Sequence, residues 1–209
     1  MLGLGTKLAL VVGLVAVGAY GIRYHHRQNQ SPRLGGAISR GKALWLSYAI
    51  FLWFIVCPAL ALDTRVPAAL RIVLGSFGLS MWLRGLVELY LLYIGRGWRP
   101  PYGVGHDLFC LALIGVEAVW LRAPLALSVG DPLGAWTAAL AVVVVISLIL
   151  EVGYAWTFYR LVGERTVGAE AIWFASAGDP RFRTLVRATA LANVPLCVFL
   201  ALFLCATLR

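Results

Sequence analysis

At 209 residues, 61% hydrophobic and only 13% charged, with a mean hydropathy of +0.86, this chain is too apolar for a water-soluble domain. Soluble domains carry about 25% charged residues, and a protein of this size exposes much of its surface. The net charge of +9 reads as basic loops facing anionic lipid headgroups rather than as a nucleic-acid surface.

A spanning helix needs about 20 mainly apolar residues. Six such helices with short connections use nearly the whole chain, so the predicted fold is all-α: one polytopic membrane bundle over residues 1–209. The first span is 4–22. Its Lys7 and the small residues Ala16-Val17-Gly18 give it a signal-peptide character, yet cleavage would leave a strongly basic stretch outside, so a retained helix is expected. Ala9 and Gly13 form a small-xxx-small step suited to helix packing. The second span, 43–62, is aromatic, with Pro58 placed to kink it. Asp63-Thr64-Arg65 makes a minimal turn before the third span, 67–94.

Glycines and prolines predict a loop over 95–106, with Trp98 and Tyr102 anchoring it at the interface. The fourth span is then 107–123, opened by Asp107 as a first-turn or capping acid beside His106. The fifth span is 134–159 and the sixth is 188–208. Between them, 167–175 reads as a short interfacial helix carrying Trp173.

Loops 23–42, 95–106 and 160–187 hold five, two and five basic residues, whereas the other two hold Arg65 and Arg122 alone. This asymmetry places the first set in the cytoplasm and both termini outside, as in a bacterial inner-membrane protein. Arg23, Arg27, Arg160, Arg165, Arg181 and Arg183 are then the expected contacts to lipid headgroups.

Four charges fall deep within spans: Arg84 and Glu88 on the third, Glu117 on the fourth, Glu151 on the fifth. A charge at the bilayer centre costs roughly 2.5–3.5 kcal/mol, so such residues face a partner or a cavity. Arg84 and Glu88 are four apart and share a helix face. Counting outward from a 95–106 loop puts Glu117 level with Arg84, which predicts one cluster of Arg84, Glu88, Glu117 and Glu151.

Cys57, Cys110, Cys197 and Cys205 all lie in apolar runs with no CxxC, and read as small buried hydrophobes. No metal site and no cofactor is expected. The histidines sit at loops or helix ends, not where axial haem ligands belong. Three functions follow in order: a non-enzymatic subunit or scaffold packed against a membrane-protein partner or its own copies; a small transporter or proton/ion conductor using the Arg/Glu cluster; and a lipid-modifying enzyme with His106 and Asp107 as its acid–base pair.

Overall fold

The computed structural model describes residues 3–28, 40–95, 97, 99–127, 129–162 and 180–208. Among them the regular structure is all helical, without strands: α1 over Leu4–Gln28, α2 over Arg40–Ile50, α3 over Cys57–Leu62, α4 over Ala68–Leu89, α5 over Pro100–Trp120, α6 over Arg122–Leu127, α7 over Pro132–Val162 and α8 over Pro180–Leu208. A π-helical turn, Phe51–Val56, fuses α2 to α3, and a second, Tyr90–Ile94, extends α4. Six helices are long and apolar enough to cross a membrane, as befits a multi-pass integral membrane protein.

Pro58 sets the first π turn. It has no N–H to give to the carbonyl of Phe54, four residues earlier. The indole N–H of Trp82 on α4 donates to that carbonyl instead, at 3.1 Å. The sharp return at Asp63 follows the end of α3. Asp63 accepts from the backbone and guanidinium N–H groups of Arg65 at 2.6–3.1 Å. This pairing holds the partly exposed Asp63 carboxyl at about 2, below its ordinary value.

Helix α7 packs on both α5 and α8, while α2 packs on α1 and α8. Leu74, Phe77 and Met81 of α4 meet Trp53, Cys57, Cys110 and Leu148 in the centre. Trp45, Trp53 and Phe77 stand edge to face there at 5.4 and 5.6 Å, the favoured geometry for aromatic quadrupoles.

Several sequence expectations are revised. A Cβ on Gly13 would meet nothing within 4 Å, so the Ala9/Gly13 step is not the packing seam of α1. Gly18 and Gly21 are: a Cβ on Gly18 would lie 2.6 Å from the Tyr48 hydroxyl, and one on Gly21 would strike Ser47. Cys57 and Cys110 are buried, but Cys197 and Cys205 are exposed on α8. The helix of the last span starts at Pro180, not at 188. Residues 167–175, with the interfacial helix expected there, lie outside the described residues.

Candidate functional site

The largest departure from expectation is where α5 begins. Arg99 is extended (φ −134°, ψ 148°), and Pro100-Pro101 occupy the first helical positions. Proline suits that place, because the first N–H groups of a helix have no intrahelical partner and φ is already helical. Residues 100–106 are therefore helix, not loop, and His106 and Asp107 lie in its second turn. Asp107 does not cap the helix. It is wholly buried, about seven residues or ~10 Å along the axis.

Moving the turn between α4 and α5 shifts the register of that hairpin. On α4, Ser76, Ser80, Arg84 and Glu88 recur every four residues and form one polar stripe. Opposite it, α5 presents Glu117, Cys110, His106 and Asp107. Arg84 Nη1 donates to Asp107 Oδ1, and Arg84 Nε to Glu88 Oε1 at 3.0 Å. The next rung is Ser80 Oγ, 3.1 Å from His106 Nε2 and 2.9 Å from Cys110 Sγ. Further along, the Ser76 hydroxyl donates to Glu117 Oε2 at 2.9 Å. Glu117 is thus three rungs from Glu88, and the single cluster expected from depth counting does not form.

The other half of the site joins α2 to α7. Lys42, expected in a loop, is in the first turn of α2. Its Nζ lies 3.2 Å from Glu151 Oε1 and 3.8 Å from the ring centroids of both Trp45 and Tyr154. Two aromatic faces and a carboxylate suit an ammonium on all three sides. The α2 end is fixed to α8 by Asn193, whose amide donates to the carbonyls of Gly41 and Thr189 at 3.0 and 3.1 Å. Lys42, Glu151, Arg84 and Asp107 are close enough to act on one another electrostatically. The site therefore draws on α2, α4, α5 and α7.

Not every polar atom in it is satisfied. Among the described residues, Asp107 Oδ2, Glu151 Oε2, the Ser147 hydroxyl and the Trp45 indole N–H are buried without a hydrogen-bond partner. Buried polar groups are normally paired. Each of the two buried carboxylates thus has one oxygen on a base and one uncommitted. Glu88, with about a third of its side chain exposed, lies at the edge of the network.

The remaining sequence-predicted residues lie at the same end of the bundle. Arg23 and Arg160 are exposed near the ends of α1 and α7, Arg181 and Arg183 occupy the first turn of α8, and Tyr102 is exposed in the first turn of α5. Trp98, Arg165 and Trp173 are outside the described residues, as is the side chain of Arg27. Among the described residues no three His, Cys, Asp or Glu side chains are placed to hold a metal ion. Comparison with protein-family models, with curated proteins and with solved structures finds no match.

Proposed function

We propose that this chain is a multi-pass protein of the bacterial cytoplasmic membrane that binds and passes protons or monovalent cations through the Lys42/Glu151 and Arg84/Asp107/Glu88 network. One observation carries this reading: Asp107 and Glu151 are both buried, and each keeps one carboxylate oxygen without a donor. An ion-pair lock that served only stability would commit both oxygens, because an unpaired acceptor in a low dielectric is costly. A carboxylate that must take up and release a small cation needs one oxygen left available. The charges lie near the end of the bundle that the loop charges assign to the cytoplasm, and Arg23, Arg160, Arg181 and Arg183 there meet lipid headgroups.

Purified protein in proteoliposomes tests the reading with proton, sodium and potassium gradients. The wild type conducts one of them. Asp107→Asn and Glu151→Gln, which keep side-chain shape, lower the flux by at least about tenfold, as expected for removing an essential ionisable group. Wild-type vesicles tight to all three cations, or variants with undiminished flux, would refute it.

A second reading, a subunit packed on a partner helix, is favoured by α1. Its Leu4, Leu8, Val12 and Val15 form one exposed helical stripe. Purification in mild detergent as a single species with no attached protein would count against that reading.

A further inference from the structure

Towards the opposite end of the bundle from the charge network, α1, the π turn Phe51–Val56, α3, α7 and α8 line an apolar cavity of ≈ 480 Å³. Its wall on α1 runs from Ala9 to Val17, about 12 Å along the helix axis, and Leu133 to Leu140 on α7 runs nearly as far. That length is close to one leaflet of a hydrocarbon core about 30 Å thick. Among the described residues of the wall, the hydroxyl-bearing side chain is Thr137, which donates to the carbonyl of Leu133 at 2.7 Å. Water held there would lack the polar partners it needs, and an empty apolar void costs free energy in proportion to its volume. A hydrocarbon chain fills the space at no such cost.

A charge lies just beyond the cavity wall. Lys7 lies one turn before Leu10 of the cavity wall, and its ammonium donates to the carbonyl of Leu208 at the end of α8, at 3.1 Å. An ammonium has three protons to donate. An apolar cavity with a cation one turn beyond its wall matches an amphiphile with one chain inside and an anionic headgroup outside.

We propose that this cavity is the site of one acyl chain of an anionic phospholipid whose phosphate rests on Lys7. It is independent of the charge network and of any ion flux through it. The test is native mass spectrometry of protein taken from nanodiscs of palmitoyl-oleoyl phosphatidylglycerol, phosphatidylcholine or an equal mixture, with melting followed by fluorescence. Wild type should retain one lipid and prefer phosphatidylglycerol about fivefold, the worth of one lysine at a membrane surface. Gly13→Phe grows a side chain where a Cβ meets nothing within 4 Å, so it should abolish lipid retention while the melting temperature holds or rises. Ala9→Phe fills the same wall should Gly13→Phe fold poorly. Lys7→Gln should keep a lipid but lose the headgroup preference. Wild type that retains no lipid, filled variants that retain it unchanged, an intact preference in Lys7→Gln, or a second copy released by Gly13→Phe would each overturn the proposal.

Discussion

Lys42 and Glu151 stand 109 positions apart in sequence and 3.2 Å apart in space. Their side chains are 12% and 7% exposed, so each depends on the other to stay charged away from water. Lys42→Met leaves Glu151 buried without its base and should cost about 3–5 kcal/mol. Lys42→Met combined with Glu151→Leu removes both charges and should recover most of that loss. Reversible unfolding in mixed micelles measures the cycle, and equal costs for the single and double variants would deny the coupling. Hydropathy alone flags Arg84, Glu88 and Glu151 as intramembrane charges, because each interrupts an otherwise apolar span. Lys42 escapes that reading because the basic run before it resembles loop, although Ala43 onward is plainly helical. The serines escape it too. Ser76 and Ser80 carry no charge, yet with Arg84 and Glu88 they repeat every fourth residue, a signal that is present in the sequence.

Helix boundaries rest on backbone chemistry that composition hides. The Pro100-Pro101 pair reads as a breaker, but at the first positions of α5 it is a start signal. That one difference turns Asp107 from a helix cap into a buried partner of Arg84, and takes Glu117 out of the cluster. The π turn before Pro58 is equally hidden, because its relief comes from another helix: the Trp82 indole covers the Phe54 carbonyl that Pro58 cannot reach. Trp82→Phe should therefore cost about 1–3 kcal/mol, the penalty of a carbonyl left unsatisfied away from water. In a Pro58→Ala background the same change should cost much less, since the alanine has its own N–H to offer. Equal costs in the two backgrounds, by the same unfolding assay, would separate Trp82 from the proline.

Across the whole molecule, six apolar segments and their order are legible because hydropathy over 20 residues averages out local detail. The neighbours of each helix are not. Packing of α7 on both α5 and α8, and of α2 on α8, is decided by side-chain shape and by contacts such as Asn193 to Gly41, which no single-helix pattern reveals. The long separation of Lys42 from Glu151 has a consequence for how the chain is made. At about 5–20 residues per second, the ribosome needs roughly 5–20 s to add the 109 residues between them. Throughout that interval Lys42 lacks the carboxylate it is bonded to in the finished bundle. Lys42 is only two residues inside its helix, shallow enough for its side chain to rest at the water boundary until α7 arrives. The pair closes late in synthesis and fastens the second span to the fifth, turning a row of inserted helices into an assembled bundle.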